Sequence, residues 1–286
     1  MKYPSAIMGG AKKRERKYGP IMLFQCFGQS LSGVFSDECP PLVMVLADPA
    51  TGVTYEGRDL EALSTVRRYR EWIIDHFRPF LSGNAVEFGA GTGNFAQHIF
   101  DHVTILDLVE PSPNLVAHLR ERFHSKSNVT VIDGTLEHVV RNMKDAQYEC
   151  ILMVNVLEHI ENDIDAVREC YRILKPGGRL LILVPALPFL YSELDRLVGH
   201  FRRYDKSGLH AVLESGGMTL NKLCYFDFLG IWPWWVLNTL GGATAFNATL
   251  VKIYDAVFVP VSRFIECWRP PPIGKSLVAI ASRPEV

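Results

Sequence analysis

The stretch Val86-Glu87-Phe88-Gly89-Ala90-Gly91-Thr92-Gly93 decides the fold, because a short apolar run passes directly into a turn with glycine at every second position. Residues 85–88 predict a strand, and a helix is expected from Asn94 onward. Glycine lets the backbone approach a ligand closely, since a β-carbon would block it, and the free N–H groups of a helix start attract polar groups. The stretch therefore predicts a strand, a ligand-binding turn and a helix. Such a turn can also serve only to pack a helix closely.

Four further apolar runs follow the turn and alternate with stretches of helical periodicity. The predicted strands cover residues 103–109, 129–132, 150–154 and 179–184. Between them, Leu115, Leu119 and Phe123 mark the apolar face of one helix, and a second is expected over about 163–174, stopped by Lys175-Pro176-Gly177-Gly178. Strands that are apolar throughout and separated by helices are typical of a parallel sheet covered on both faces.

Two additions flank this pattern on the N-terminal side. From Leu60 to Phe80, apolar residues recur at steps of three and four, which predicts an amphipathic helix ending at Gly83-Asn84. Residues 1–57 hold no helical period and are interpreted as an accessory cap, so the main domain is expected to cover 58–286.

The C-terminal part contains an insertion at about 186–272. Three elements are predicted in this part of the chain: a helix at 209–213 capped near Ser207, a strand at 218–226 and a last strand at 276–281. A long apolar stretch lies between the last two. Phe228 to Val251 carries no charge and is long enough to span a bilayer, but its glycines, proline and polar residues disfavour a stable span. Its tryptophans are expected to roof an acceptor pocket or to lie in a dimer contact. Plain packing on the sheet and an interfacial membrane contact stay open.

Composition narrows the function classes. The 286 residues are 48% apolar, which suits a globular core, and 30 basic against 31 acidic residues give a net charge of −1, which predicts no nucleic-acid partner. None of the six cysteines forms a C-x-x-C pair or a Cys/His cluster with zinc spacing, so no metal site is expected. The N-terminal residues show no secretion signal, and a cytoplasmic monomer or homodimer is expected.

Three acidic residues stand where a nucleotide-like ligand would need them. Glu110 follows the second strand, where a carboxylate accepts hydrogen bonds from both hydroxyls of a ribose; it can also simply face a helix N-terminus. Asp133 follows the third strand and can accept from an adenine amine, or only form the turn before Gly134. Glu87 lies inside an apolar strand, where a buried carboxylate calls for a cation such as the ammonium of an aminoacyl group.

Four motifs in order carry a resemblance to a known superfamily: Val86–Gly93, Glu110-Pro111-Ser112, Ile132-Asp133-Gly134, and Asn155–Ile160 followed by Leu174–Leu180. Together they resemble the class I S-adenosylmethionine-dependent methyltransferases, in the small-molecule branch of methyltransferase types 11 and 12. The resemblance implies S-adenosyl-L-methionine as cofactor and an α/β fold, a Rossmann-like, doubly wound, seven-stranded mixed sheet whose last strand is antiparallel.

The resemblance also assigns the cofactor-binding positions. These are Glu87, Gly89, Ala90, Gly91, Gly93, Asn94, Phe95, Glu110, Pro111, Ser112, Asp133, Gly134, Thr135, Leu136, Asn155 and Val156. Residues from Val184 to Tyr204 resemble a bacterial branch whose members often accompany enzymes of surface sugars or secondary metabolites, which points to a small-molecule acceptor.

Methyl transfer needs an acceptor held in line with the activated methyl group, and a base if the acceptor is a weakly acidic hydroxyl or a carbon. His159 and His200 are the candidate bases, and each can instead serve only in packing or in a charged loop. The expected acceptor-binding residues are His159, Tyr191, His200, Arg203, Tyr204 and Trp232.

Two other functions compete with the methyltransferase. A nicotinamide-dependent oxidoreductase would show the spacing G-x-G-x-x-G, whereas Gly89, Gly91 and Gly93 form G-x-G-x-G. A non-catalytic partner protein that retains cofactor binding is the third interpretation. The sequence leaves the acceptor and the methylated atom open.

Overall fold

The computed structural model describes residues 66–243 and 247–285. The expected cap at 1–57 and the first residues of the predicted N-terminal helix lie outside these ranges. Within them, the helices are α1 (Arg67–Phe77), α2 (Ala96–Ile99), α3 (Pro113–Phe123), α4 (Leu136–Val139), α5 (Asp163–Ile173), α6 (Glu193–Leu197), α7 (Lys206–Ser215), α8 (Ile231–Trp234), α9 (Ala248–Ile253) and α10 (Val259–Glu266). The strands are β1 (Asn84–Phe88), β2 (Ile105–Glu110), β3 (Val129–Asp133), β4 (Tyr148–Val154), β5 (Leu174–Pro185), β6 (Thr219–Phe226) and β7 (Ser276–Ser282).

The strands form one seven-stranded sheet in the order β3-β2-β1-β4-β5-β7-β6. Strands β1 to β5 pair in parallel, and β7 runs antiparallel to both β5 and β6. The predicted doubly wound mixed sheet with an antiparallel last strand is thereby confirmed. The strand order reverses between β1 and β4, so the carboxyl ends of these two strands border the crevice where such folds bind ligands.

Two buried clusters cover the two faces of the sheet. Val86 and Phe88 belong to one cluster, which includes residues of α5 and α7, whereas Ala85 belongs to the other, which includes residues of α1 and α3. Successive strand residues point to opposite faces, so an apolar run fills both clusters at once. This is why the central strands lack an alternating pattern.

Several element boundaries differ from the prediction. Strand β5 begins at Leu174 instead of residue 179, but residues 175–178 form an irregularity within it, because pairing with β4 passes from Leu174 to Arg179 and Gly177 has a φ angle of 76°. Helix α2 begins at Ala96, not Asn94. Helix α7 is capped by Asp205, whose carboxylate accepts from the Gly208 N–H at 2.6 Å, so the cap predicted near Ser207 was misplaced.

The apolar insertion is only partly buried. Helix α8 continues into a π-helical turn at Trp235–Leu240, and a second such turn at Tyr254–Phe258 joins α9 to α10. Ile231 and Asn238 are buried, while Trp232 and Leu240 are 56% and 66% exposed. None of the described helices has both the length and the apolar character that crossing a bilayer requires.

Candidate cofactor and acceptor site

The glycine turn after β1 uses conformations that other residues rarely adopt. Gly89, Gly91 and Gly93 have φ angles of 68°, 57° and 76°. A β-carbon on Gly89 would lie 2.6 Å from Cγ2 of Val156, just beyond β4, and one on Gly93 would lie 2.6 Å from the Phe123 ring of α3. The turn is therefore pressed between the end of β4 and helix α3, which leaves room only for glycine at these two positions.

Glu110, at the carboxyl end of β2, holds this turn in place. Its Oε2 accepts from the Gly91 N–H at 2.8 Å, and its Oε1 accepts from the Ser112 N–H at 3.0 Å. Burial raises the pKa of Glu110, against the lowering effect of these two donors. A carboxylate has about four acceptor positions, so these two backbone donors leave acceptor capacity for a ribose hydroxyl.

Glu87 is a buried carboxyl group in need of a partner. It is 2% exposed, and its Oε2 has no hydrogen-bond partner among the described residues. Burial and the nearby charge of Glu110 raise the pKa of Glu87 to about 8. The α-ammonium of S-adenosylmethionine fits this position, because it would supply the cation that an ionised carboxylate here lacks.

The other predicted cofactor residues lie along the same edge of the sheet. Asp133 is exposed and pairs in register with Glu110, and the Gly134 N–H donates to the Glu110 carbonyl at 3.1 Å. The rest divide by exposure: Pro111 and Asn155 are exposed, Asn94, Phe95, Thr135 and Val156 are half-buried, and Ala90, Ser112 and Leu136 are buried. Ribose and adenine contacts at these positions stay a prediction.

Asp195 organises a second group of side chains near this edge. Its Oδ2 accepts from the backbone N–H and the hydroxyl of Ser192, which caps α6. Its Oδ1 lies 2.8 Å from Nδ1 of His200 and 3.0 Å from Nε of Arg203. Burial alone would raise the pKa of Asp195, but the donors from His200 and Arg203 outweigh it and hold this pKa below its usual range.

His159 faces His200 from the turn Leu157–His159, which follows β4. The two imidazole rings are 4.6 Å apart and nearly perpendicular, at 80°. Burial and the neighbouring His200 lower the pKa of His159 to about 4, so this side chain is neutral at pH 7. The Phe201 N–H donates to the Glu158 carbonyl at 2.8 Å and joins the two segments.

Glu158, between Leu157 and His159, is fully buried. Neither carboxylate oxygen has a hydrogen-bond partner in the described ranges, and Nε2 of His200 lies 3.9 Å from Oε1. Burial raises the pKa of Glu158 to about 8. Glu158 lies within the motif Asn155–Ile160, which gave no role for it, and no sequence prediction included Asp195, although Ser192 and Asp195 have the spacing of a helix capping box.

The remaining predicted acceptor residues are placed differently from one another. Tyr191 donates its hydroxyl to the His200 carbonyl at 2.6 Å. Arg203 is buried, donates to Asp195 and the Ala186 carbonyl, and stacks on Trp234 at 4.4 Å. Tyr204 is buried and donates to Asp163 at 2.8 Å. Arg203 and Tyr204 thus use their polar atoms within the protein, and Trp232 is mostly exposed.

Comparison with known proteins bears on the family of this chain. Residues 86–182 match the profile of the methyltransferase domain family. A probable S-adenosylmethionine-dependent methyltransferase of Mycolicibacterium smegmatis is 27% identical over 150 residues, which are 52% of this chain and 54% of that protein. A ubiquinone/menaquinone biosynthesis C-methyltransferase of Brucella anthropi is 26% identical over 167 residues, 55% of this chain and 58% of that protein. The chain spans about half the length of these curated relatives.

A solved structure with the same fold is a methyltransferase of Thermotoga maritima described as a possible histamine N-methyltransferase. Its TM-score is 0.53 and its identity 20%, with 78% of this chain and 93% of that chain covered. The family profile matched by residues 86–182, the sheet order and the glycine turn between β1 and α2 together support the class I S-adenosylmethionine-dependent methyltransferase superfamily, whose cofactor is S-adenosyl-L-methionine.

Proposed function

We propose that this chain transfers a methyl group from S-adenosylmethionine to a small-molecule acceptor by in-line displacement. The observation that carries the proposal is the meeting of two groups at one sheet edge. Gly89 of the cofactor turn lies against Val156, because a β-carbon on Gly89 would collide with the Val156 side chain. The turn that bears His159 follows Val156 directly. On this proposal, the partnerless carboxyl oxygen of Glu87 and the histidine pair flank the same crevice.

Acceptor activation is proposed to run through His200. Because Nδ1 of His200 is held by Asp195, its Nε2 is left to interact with the acceptor, as in other carboxylate-oriented histidines. His159 lies beside it and would help to orient the nucleophile. The sheltered position of both rings favours a small molecule over a nucleic acid, whose backbone would call for a basic surface.

The relatives do not share one acceptor atom. One is named a C-methyltransferase and another a possible N-methyltransferase. We therefore do not infer from these similar proteins which acceptor atom is methylated. Surface-sugar or secondary-metabolite synthesis remains the proposed setting. Free thiols at Cys150, Cys170 and Cys224 are consistent with the proposed cytoplasmic location.

The experiment begins with calorimetry against S-adenosylhomocysteine and NAD, which separates a methyltransferase from a nicotinamide enzyme. We expect binding of the first and none of the second. Release of S-adenosylhomocysteine is then followed over a panel of small hydroxyl, amine and enol acceptors. An NAD-binding protein, or one that fails to bind S-adenosylhomocysteine, contradicts the proposal, and binding without turnover on any acceptor favours the partner-protein alternative.

His200→Gln tests the acceptor side of the site. It should keep S-adenosylhomocysteine affinity and lower turnover about 10²–10⁴-fold, the usual contribution of a positioned proton-transfer group. His210→Gln is the matched control, because His210 is an exposed histidine on α7. Equal turnover of the two variants would remove His200 from the mechanism.

A further inference from the structure

Glu158, His159 and His200 bring three metal-ligating side chains to one point beside the acceptor crevice. One ligand atom of each residue lies within 4.8 Å of the other two. In a tetrahedral zinc site each ligand atom lies about 2.0–2.2 Å from the ion, so two ligand atoms are about 3.3–3.6 Å apart. The 3.9 Å between Nε2 of His200 and Oε1 of Glu158 is a few tenths of an ångström longer, and side-chain rotations would have to bring the three ligand atoms together.

The carboxylate of Glu158 points to a cation independently of that clustering. It is fully buried, and neither of its oxygens accepts a hydrogen bond from another of the described residues. The neighbouring charge of Asp195 is matched by Arg203 at 3.0 Å, but Glu158 has no hydrogen-bonded cation in the described part of the chain. A positive ion held between this buried carboxylate and the histidines would stabilise it.

Asp195 orients His200 as a metal ligand would require. It takes the hydrogen of Nδ1 at 2.8 Å, which leaves the lone pair on Nε2, the nitrogen that faces Glu158. Metal-binding histidines commonly donate their other ring N–H to a carboxylate, which sets the tautomer and the ring orientation. Asp195 is itself held by the cap of α6, so the orientation of His200 is built into the fold.

We propose that Glu158, His159 and His200 bind one divalent ion of the zinc class and leave a coordination position open for the acceptor oxygen. Two histidines and one carboxylate are a donor set of catalytic zinc sites, in which a fourth position is kept for water or substrate. The side chain of His200 is 13% exposed and His159 is half-buried, so the cluster is reachable from solvent.

The chemical consequence, which rests on the proposed methyl transfer, is an acceptor with a hydroxyl or phenol group. The ion lowers the pKa of the bound hydroxyl, and its proton leaves to water. The acceptor oxygen then uses its electron pair to form the bond to the methyl carbon, while the C–S electrons go to sulfur and S-adenosylhomocysteine departs. The activation assigned to His200 thereby passes through the ion.

Cobalt(II) is the probe that tests the site, because its visible spectrum reports coordination. The tag-free full chain is stripped with a chelator and titrated with Co²⁺, followed by absorption and calorimetry. We expect one Co²⁺ per chain, the intense visible bands of a four- or five-coordinate ion, and loss of these bands when Zn²⁺ is added.

Three variants locate the ion. Glu158→Gln keeps the size of the side chain and should weaken Co²⁺ binding by more than about 100-fold, whereas Asp195→Asn should weaken it about 10–100-fold. His210→Gln should leave the affinity and the spectrum unchanged. If Glu158→Gln does not fold, as judged by circular dichroism, His200→Gln takes its place.

Several results would overturn the site. These are no Co²⁺ binding, an unchanged affinity in folded Glu158→Gln or His200→Gln, or a thiolate-to-cobalt charge-transfer band that identifies cysteine ligands. S-adenosylhomocysteine calorimetry on the same samples separates the two proposals. Cofactor binding without Co²⁺ binding refutes only the metal site, and Co²⁺ binding without cofactor binding refutes only the proposed function.

Discussion

At the scale of single residues, three buried carboxyl groups concentrate the chemistry of the sheet edge. Glu110 has backbone donors on both oxygens, while Glu87 and Glu158 keep oxygens without hydrogen-bond partners in the described ranges. Burying a charged group without a partner is costly, so such groups usually belong to a binding site. The contrast between Glu110 and the other two separates a residue that shapes the site from residues that await a ligand.

Glu110→Gln should weaken S-adenosylhomocysteine binding by about 1–3 kcal/mol, the scale of a hydrogen bond to a charged group. An amide offers one oxygen, so it cannot accept from both Gly91 and Ser112 and still serve a ribose. Titration calorimetry measures the change, with Glu121→Gln, an exposed acid on α3, as the control. Unchanged affinity in Glu110→Gln would rule out the ribose assignment.

Glu87 should release a proton when the cofactor binds. Its pKa of about 8 in the ligand-free protein means that it is mostly protonated at pH 6.5, and an adjacent ammonium group would ionise it. Calorimetry at pH 6.5 in two buffers of different ionisation enthalpy should reveal close to one proton released per S-adenosylmethionine bound. Glu87→Gln should abolish that release, and a wild-type protein that releases none would contradict the pairing.

The same pKa affects the stability of the ligand-free protein. A carboxyl group whose pKa is raised by folding favours the folded state below its unfolded pKa of 4.5, and this contribution is lost as the pH rises to about 8. The melting temperature of the ligand-free protein should therefore fall over this range more steeply for the wild type than for Glu87→Gln. Parallel profiles would show that Glu87 titrates normally.

At the scale of elements, the glycines of the turn between β1 and α2 have different roles. Gly93 lies against Phe123 and Leu119 of α3, at 2.6 and 2.9 Å from where its β-carbon would be. Gly91 instead presents its N–H to Glu110 with a φ of 57°. We therefore expect Gly93 to serve the packing of the turn against α3, and Gly91 to serve the part of the turn that faces the ligand.

Gly93→Ala and Gly91→Ala should therefore separate stability from binding. Gly93→Ala combines an unfavourable φ with overpacking and should lower the free energy of unfolding by about 2–5 kcal/mol. Gly91→Ala should cost about 1–2 kcal/mol of stability and lose most of its cofactor affinity. Urea denaturation and calorimetry measure the two effects, and a reversed order would contradict this division of roles.

At the scale of the whole molecule, the antiparallel strand β7 lies in the sheet between β5 and β6. Just after β7, Arg283 donates from Nη1 to the carbonyls of Tyr171, Arg172 and Leu174, at 3.2, 3.2 and 2.7 Å. It thus ties the last strand to the junction of α5 and β5. This contact lies at the N-terminal end of β5, away from the carboxyl edge where the site is built.

Arg283→Met should lower the free energy of unfolding by about 2–3 kcal/mol, because carbonyl groups lose a charged donor. Binding of S-adenosylhomocysteine should not change. Arg269→Met, an exposed arginine beyond α10, provides the control for loss of charge. A variant as stable as the control, or one with reduced cofactor affinity, would show that this tie has a different role.

The amino-acid sequence alone determined the architecture, because apolar runs and helical periodicity are local and each strand carries its own signal. It also predicted the cofactor edge, since Gly89, Glu110, Asp133 and Asn155 lie at or just after the ends of successive strands, and the carboxyl ends of parallel strands meet at one edge of the sheet. The helix stop predicted at residues 175–178 is confirmed, since α5 ends at Ile173, but the stretch then joins β5 as an irregularity with a positive φ at Gly177.

Only the tertiary structure decided what surrounds the two histidines. Glu158 and His159 come from the turn after β4, whereas Asp195 and His200 come from the insertion, and no local pattern reports their distance. The sequence accordingly predicted no metal site. It also could not show that Arg203 donates a hydrogen bond to Asp195 and that Tyr204 donates one to Asp163. Which side chains are buried, and which groups they hydrogen-bond to, depends on packing between segments far apart in the sequence. Local sequence patterns do not report that packing.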